Sequence, residues 1–451
     1  MPFVRLSPLF LALMAISASP AWATNGMNLE AWGAKAAAMG GAGYGYDSGN
    51  SAIMNNPATL GLKPDQHTDL GLGLTLLAPD VSASHPMAGA TDSEGNAYWM
   101  PTLSYIKRSG NLAYGIGMLA QGGMGTEYGK GSALFAGGLD SLGNPVPMSG
   151  EEIRSEVGFG RLMFPVVWKA NARLSLAGQL DLAWASMDLQ MDMDGQSLAG
   201  MLGAGLVNGG LTGMLPQAID YARFDFSDNN TMTGKAKSYG WGYKLGAHYQ
   251  VTDRLGIGAS YHGKTHMGDM KTEDASVVVA SGGLPMTLNG TLKVLDFQWP
   301  ETYGIGVAWS PSDKWLWVAD IKRIQWADAM KDFRMRFVAG PGMDINVTMP
   351  QNWKNQTVVA VGGQYKLTPD VALRFGINRA SNPVPDATLN PLFPATTELH
   401  YTAGLGWRLD PANTVAFALS YVPEVEDSNP NTGITSSHGQ YSVRVNYNHT
   451  F

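Results

Sequence analysis

The sequence predicts an all-β fold: a transmembrane antiparallel β-barrel of about 14 strands whose lumen is plugged by an N-terminal hatch. Three observations predict it: segments in which apolar and polar residues alternate, short polar turns that recur between these segments, and aromatic residues at the ends of the apolar stripes. The composition agrees, because charged residues make up only 15% of the 451-residue chain and glycine is abundant. In a membrane barrel, apolar residues alternate with polar or small ones, so the overall composition is not strongly apolar.

Residues 1–23 are predicted to form a signal peptide. Arg5 precedes an apolar run, and the segment ends in Ala21-Trp22-Ala23, the small-x-small pattern of a signal peptidase site. The apolar run is too short to span a membrane as a helix. We therefore expect secretion and cleavage after Ala23.

Residues 24–67 do not alternate and are rich in alanine and glycine. They precede the first predicted strand, and a barrel of about 14 strands has a lumen wide enough for water. An open lumen would leak solutes. We therefore expect residues 24–67 to fold into the lumen as a hatch and residues 68–451 to form the barrel.

The number of strands in the predicted barrel follows from its short turns. Each is a few residues rich in Gly, Pro, Asn, Asp or Ser, the residues of tight hairpins, between two alternating segments. The turns are 107–111, 169–173, 250–254, 310–314, 366–370 and 409–413. One strand before the first hairpin and one after the last bring the count to about 14. The connections between successive hairpins are longer, so we expect short periplasmic turns at one end and long surface loops at the other.

The alternating segments place apolar side chains on one side of each strand, because neighbouring side chains point to opposite faces. Residues 238–250 are an example, with tyrosine near both ends of the apolar stripe, and the last strand ends in Phe451 in phase with its apolar side. Alternation slips around 159–162 and 185–187. Since a bulge inserts one residue and reverses the phase, each slip is a candidate bulge.

The sequence offers little for catalysis, metal binding or nucleic-acid binding. The formal net charge is −7 and there is no cysteine, so neither a basic face nor a thiolate site is expected. The acidic segment 188–195 lacks the first ligand position and the closing Glu of a calcium loop, and His262 and His266 are expected to be solvated. We expect no enzyme activity, no cofactor, no metal site and no nucleic-acid partner.

The N-terminal segment resembles a known family. Asn55, Asn56, Pro57 and Ala58 in "DSGNSAIMNNPATLGL" resemble the hatch motif of the FadL/TodX family, the outer-membrane transporters of long-chain fatty acids and hydrocarbons. Residues 299–335 and 350–407 resemble later segments of that family, including its Asn-Pro-Val-Pro-Asp-Ala loop, whereas about 125–240 match poorly.

The resemblance implies a fourteen-stranded barrel in the bacterial outer membrane and passive uptake of hydrophobic molecules. It implies capture near the surface loops, passage to a lumen pocket, and release by hatch movement through a lateral gap in the wall beside a kinked strand. The third strand, 111–126, is the family's usual place for the kink, and the Gly-Gly-Met-Gly segment at 122–125 is a candidate for it here.

Two predicted surface loops, 131–140 and 197–219, are apolar, and exposed apolar patches usually mark binding sites. The candidate ligand contacts are Phe135, Leu139, Met201, Leu202, Leu206, Leu211, Met214 and Leu215. A basic residue that faces the lumen could hold a carboxylate head group, and Lys244 and Arg374 are the candidates for it.

Two other functions stay open: a general porin for polar solutes, and a barrel adhesin that binds host molecules through its loops. The hatch argues against a porin, which needs an open channel. The expected partners are fatty acids, alkanes or aromatic hydrocarbons, outer-membrane lipids including lipopolysaccharide, and the barrel-assembly machinery. The barrel is expected to act as a monomer.

Overall fold

A computed structural model describes residues 25–139, 145–230 and 233–451. The predicted signal peptide, residues 1–23, lies outside these ranges and stays a prediction. Strands dominate the described chain, and helices are short.

The strands, in chain order, are β1 (His67–His85), β2 (Gly89–Asp92), β3 (Tyr98–Ser109), β4 (Leu112–Glu127), β5 (Ala136–Leu139), β6 (Pro145–Pro147), β7 (Arg154–Lys169), β8 (Leu174–Asp194), β9 (Val207–Asn208), β10 (Tyr221–Phe226), β11 (Ala236–Thr252), β12 (Leu255–His262), β13 (His266–Met267), β14 (Met270–Ser281), β15 (Leu284–Leu295), β16 (Thr302–Trp309), β17 (Trp315–Ile324), β18 (Asp332–Gly340), β19 (Met343–Pro350), β20 (Gln356–Lys366), β21 (Val371–Ala380), β22 (Leu399–Arg408), β23 (Asn413–Ser428) and β24 (Thr435–Thr450). The α-helices are α1 (Ala34–Ala37), α2 (Gly195–Gly203) and α3 (Trp326–Ala329). The 3₁₀ helices are Gly49–Ile53, Pro57–Leu62, Ala133–Phe135, Gly210–Met214 and Asp386–Thr388. Among the residues that the structure describes, no helix is long and apolar enough to cross a membrane.

Antiparallel pairing closes the barrel. Within the described ranges, fourteen strands form a ring in the order β1, β3, β4, β7, β8, β11, β12, β16, β17, β20, β21, β22, β23 and β24. β24 then pairs with β1, from Asp69 opposite Thr450 to Ser84 opposite Thr435. The predicted all-β barrel class is confirmed.

Among the described residues, the sheet as a whole contains 22 strands, more than the number predicted from the turns. The additional strands belong mainly to the long loops. β10 pairs with the end of β8, and β14, β15, β18, β19 and β9 follow it in an extension of the sheet beyond the ring. The loops are therefore paired hairpins that continue the barrel wall.

The two ends of the barrel differ as expected. All six predicted turns connect neighbouring strands of the ring, and they lie at the same end as the start of β1 and the end of β24. We call this the short-turn end. The longer connections lie at the opposite, long-loop end.

The outer surface of the ring is apolar. On β11, Tyr239, Trp241 and Leu245 are exposed, while the alternating Lys244 and His248 are buried in the interior. This is the pattern of strands whose outer face meets lipid.

The inner face changes its polarity along the barrel. The buried side of β8 carries Ser175 and Asp181 towards the short-turn end, but Met187, Leu189 and Met191 towards the long-loop end. β8 pairs with β7 without any shift of register, so the candidate bulge around 185–187 is wrong. The apparent slip arises because the inner face turns from polar to apolar.

The other candidate bulge has a real counterpart. Near 159–162 the pairing of β7 with β4 shifts between Ala120 and Gly122. The extra residue is Gln121 of β4, across the ladder from the position that the sequence indicated. The bulge thus lies in the third strand of the ring.

Candidate functional site

Residues 25–66, which we call the hatch segment, lie in the lumen and pack against the inner face of the ring. α1 and two 3₁₀ helices form its ordered core, and Ala34, Met39, Asn56 and Leu60 are completely buried. The small residues allow close packing against the strands. At Gly404, for instance, an added Cβ atom would press on Ala38.

The hatch motif joins the segment to the wall through Asn56. Its Oδ1 accepts a hydrogen bond from the backbone N–H of Ala58 at 3.1 Å. Its amide nitrogen donates to the carbonyl oxygens of Tyr44 at 2.9 Å and of Ala247, on β11, at 3.0 Å. Pro57 begins the 3₁₀ helix, a position where a missing N–H is tolerated. The neighbouring Asn55 instead bonds within the segment, to Ser48 at 3.1 Å.

A buried ion pair anchors the start of the hatch segment. Arg444 of β24 donates to both carboxylate oxygens of Glu30, at 2.7 and 2.8 Å. Burial alone would raise the pKa of Glu30, but the guanidinium outweighs it and lowers this pKa to about 2. Glu30 is therefore ionised and held by a bidentate contact.

Further inward-facing side chains bind the hatch backbone. The Asp320 carboxylate of β17 accepts from the N–H groups of Gly43 and Tyr44, at 2.6 and 3.1 Å. Lys244, a candidate head-group contact, donates from Nζ to the carbonyl oxygen of Met54. Lys244 is therefore already hydrogen-bonded to the hatch segment.

Above the hatch segment, towards the long-loop end, the lumen is apolar. A cavity of about 20 Å³ lies there. It is lined by Met27, Val157, Met187, Leu189, Met191, Phe297, Met330, Phe333, Met349, Gln351, Asn390 and Phe393. We call it the apolar pocket. None of these side chains is charged, and a ligand larger than water needs them to move, which the flexible methionines permit.

Aromatic side chains pack beside the apolar pocket and touch the hatch segment. The ring centroids of Phe159 and Trp299 are 4.6 Å apart, and those of Trp299 and Trp326 are 5.8 Å apart. Trp299 donates from Nε1 to the Asn28 side chain of the hatch segment at 3.2 Å. Movement of the hatch segment would therefore disturb this aromatic cluster directly.

The loop residues predicted as ligand contacts lie near the apolar pocket without lining it. Five belong to the same hydrophobic cluster as the pocket: Leu211, Phe135, Met201, Leu202 and Leu215. Leu206 is half-buried and Met214 is exposed. The Leu139 side chain lies outside what the structure describes.

Sequence reasoning missed the residues that line the pocket. The usable signal was that Met187, Leu189 and Met191 alternate with Asp188 and Gln190 and so share one face of the strand. In the structure Asp188 accepts hydrogen bonds from Ser227 and the backbone of Lys235, at 2.8 and 2.6 Å. In the described ranges, no group of three or more His, Asp or Glu side chains is placed to hold a metal ion.

The wall is interrupted between β3 and β4. Their pairing runs from Ser109 opposite Leu112 only as far as Leu103 opposite Met118, as far as the described residues show. Beyond that point the hatch segment takes the place of β3. Gly123 donates its backbone N–H to Met27 at 3.0 Å.

A cavity of about 230 Å³ occupies this interruption, which we call the wall gap. Its lining includes Gln440 and His438, on the buried inner face of β24, together with the exposed Trp99 and Trp184 on the outside. The cavity therefore runs through the wall. The segment 122–125 lines it, next to the bulge in β4.

Solved structures of transporters are similar to this chain. TodX, the toluene transporter of Pseudomonas putida, is 28% identical, with a TM-score of 0.82 over 94% of this chain and 99% of that one. TbuX, the toluene transporter of Ralstonia pickettii, is 27% identical, with a TM-score of 0.78 over the same shares.

A curated relative from Chlorobium limicola, an uncharacterized protein in the 5′ region of a phosphoenolpyruvate carboxykinase gene, is 47% identical over 112 residues. That match takes in 24% of this chain and 53% of the relative. The chain spans about half the length of the curated relatives it matches, 53% and 43%.

The family profile described as "Outer membrane protein transport protein (OMPP1/FadL/TodX)" matches residues 13–450, nearly the whole chain. This match agrees with the closed barrel, the filled lumen and the similarity to transporter structures. The chain belongs to the OMPP1/FadL/TodX family of outer membrane transport proteins.

Proposed function

We propose that the protein lets small uncharged hydrophobic molecules, aromatic hydrocarbons among them, diffuse passively across the outer membrane. The observation that carries this proposal is the apolar pocket, which is lined almost entirely by apolar side chains and by no charged one. Burying apolar surface contributes about 25 cal/mol per Å². The toluene transporters that share the fold support the same class of cargo.

The proposed route has three stages. A hydrophobic molecule is captured by the apolar loops around Met201, Leu211 and Leu215, which share a cluster with the pocket. It then enters the apolar pocket as the methionines rearrange. Residues 24–67, the predicted hatch, then shift and release the molecule sideways through the wall gap into the lipid.

An uncharged cargo fits the pocket better than a fatty acid does. The pocket lining contains no Lys, Arg or His. Burying a carboxylate without a cation costs several kcal/mol. Neither Lys244 nor Arg374 belongs to the lining, so a head group bound by either would leave its chain away from the pocket.

The alternatives, a porin and an adhesin, receive less support. The hatch segment occupies the space that polar solutes would need, and its contacts come from several strands of the ring. We also propose that the barrel is a monomer, because its own strands close the ring and no second chain is needed to complete it. Its lipid-facing belt would contact outer-membrane lipids and lipopolysaccharide. The barrel-assembly machinery would recognise the last strand through Phe451.

The test is uptake of radiolabelled toluene by cells that lack their own hydrocarbon channel and express this protein. Phe333 lines the apolar pocket, so Phe333→Asp places an unpaired charge there. We expect a loss of toluene uptake of at least about 100-fold, from a burial cost of several kcal/mol. Phe333→Leu keeps an apolar side chain and is the matched control, with uptake within about tenfold of wild type.

Comparison with labelled oleate and glucose separates the functions. The proposal expects toluene uptake to exceed both. Uptake of glucose at the rate of toluene would instead indicate a porin. Equal toluene uptake by wild type and Phe333→Asp would remove the pocket from the route.

A further inference from the structure

A second, larger chamber lies on the short-turn side of the hatch segment. Its volume is about 430 Å³. The hatch segment forms its roof, and β1, β20 to β24 and the turn at 368–370 form its sides. It is separate from the apolar pocket and the wall gap, and nothing in the proposed route uses it. We call it the lower chamber.

The lower chamber is lined by more cations than carboxylates. The cations are Lys35, Lys63, Lys366, Arg374 and Arg408, and the carboxylates are Asp47, Asp69 and Asp370. Two of the carboxylates are already paired, Asp69 with Lys63 and Asp370 with Arg408. The lining therefore carries uncompensated positive charge.

Arg374 of β21 is the clearest uncompensated cation. Its Nε donates to Oε1 of Gln364 at 2.8 Å, and Nη1 has no hydrogen-bond partner among the described residues. No carboxylate in those ranges lies within ion-pair distance of its guanidinium, which packs flat over Gly406. A side chain at position 406 would displace it. The guanidinium is thus held in place, and its Nη1 group is left without an acceptor among the described residues.

Lys35, on α1 of the hatch segment, faces the same chamber. Its ammonium lies 5.3 Å from the centroid of the Tyr46 ring and donates to the backbone carbonyl of Asp47. Burial lowers the pKa of Lys35 to about 8, and repulsion by Arg374 acts in the same direction, against the Asp47 carboxylate. An anion between Lys35 and Arg374 would relieve this repulsion.

The hatch segment also brings unused polar groups to the chamber. The Asn50 side chain is buried, at 6% exposure, and both its amide atoms lack a hydrogen-bond partner within the described chain. Buried polar groups are normally paired, so the Asn50 amide is available as a hydrogen-bond donor to a bound anion.

We propose that the lower chamber binds a small oxyanion, a carboxylate or phosphate group, between Arg374 of the wall and Lys35 of the hatch segment. Charge-assisted hydrogen bonds to oxyanions are the strong contacts of a guanidinium. Because the two cations belong to the wall and to the hatch, a bound anion links them and stabilises the hatch in its place. This goes beyond the proposed transport function and does not depend on the cargo.

The test is isothermal titration calorimetry of the full-length purified barrel in a non-ionic detergent, with inorganic phosphate, acetate and decanoate as separate probes. We expect Arg374→Gln to weaken binding at least about tenfold, through loss of a charged hydrogen-bond donor. Arg374→Lys keeps a cation and should lose less. Arg254→Gln is the matched control, because Arg254 is an exposed arginine at another short turn, paired with Asp313.

The three probes distinguish the two possible sources of the oxyanion, a free anion and the head group of a lipid. Arg374-dependent binding of phosphate and acetate supports a free anion as the ligand, and Arg374-dependent binding of decanoate alone supports the head group of a lipid. No binding of any probe to the wild type overturns the proposal, as does equal binding by wild type and Arg374→Gln. If Arg374→Gln does not fold, Lys35→Met gives the same comparison from the hatch side.

Discussion

Replacing Glu30 with glutamine tests whether its ion pair with Arg444 holds the hatch segment in the lumen. The side chains of Arg444 and Glu30 are 1% and 0% exposed, and two hydrogen bonds join them. Glu30→Gln removes the negative charge and leaves the Arg444 guanidinium buried without a counter-charge. Breaking a buried pair in this way costs about 3–5 kcal/mol.

That cost falls on the state in which the hatch segment is seated. Each 1.4 kcal/mol corresponds to about a factor of ten in an equilibrium, so the ratio of displaced to seated hatch should rise by roughly two to three and a half powers of ten. The barrel strands keep their own backbone pairing. Glu30→Gln should therefore yield folded barrels that conduct ions far more often than the wild type.

The assay is single-channel recording of purified protein in planar bilayers. Glu151→Gln is the matched control: Glu151 pairs with Lys130, but these side chains are 57% and 67% exposed, and such pairs contribute about 0–1 kcal/mol. Its conductance should equal that of the wild type. Wild-type conductance in correctly folded Glu30→Gln would refute the reasoning, and the hatch would then be held by its other contacts.

Three further substitutions probe the wall gap and the hatch motif. Gly122 lines the wall gap, and even a Cβ atom there would overlap the carbonyl oxygen of Met27. Because the larger side chain of Gly122→Val narrows the gap, it should lower toluene uptake at least about tenfold in an intact barrel, whereas Gly178→Val, with open space around it, should not. Asn56→Ala removes three hydrogen bonds of about 1 kcal/mol each, and Pro57→Ala frees the backbone before it. Both should change uptake in assembled barrels, and unchanged uptake in both would leave the motif a packing role.

The amino-acid sequence alone determined the barrel. Hairpins are local structures, so a turn such as 366–370 and the alternation on either side suffice to predict that β20 and β21 pair. The outward apolar stripe is equally local, because a strand repeats every two residues. The resemblance to a family added the hatch motif, and the structure places Asn56 at the contact between hatch and wall.

Only the tertiary structure decided which parts of the lumen are polar and which are apolar. Alternation shows which residues share a face, but the polarity of an inner face depends on what packs against it: the hatch segment near Ser175, apolar side chains near Met191. This is why a change of lumen environment was mistaken for a bulge. Contacts between residues far apart in the sequence could not be predicted from a local pattern either. Glu30 and Arg444 are 414 residues apart, and closure of the ring brings them together.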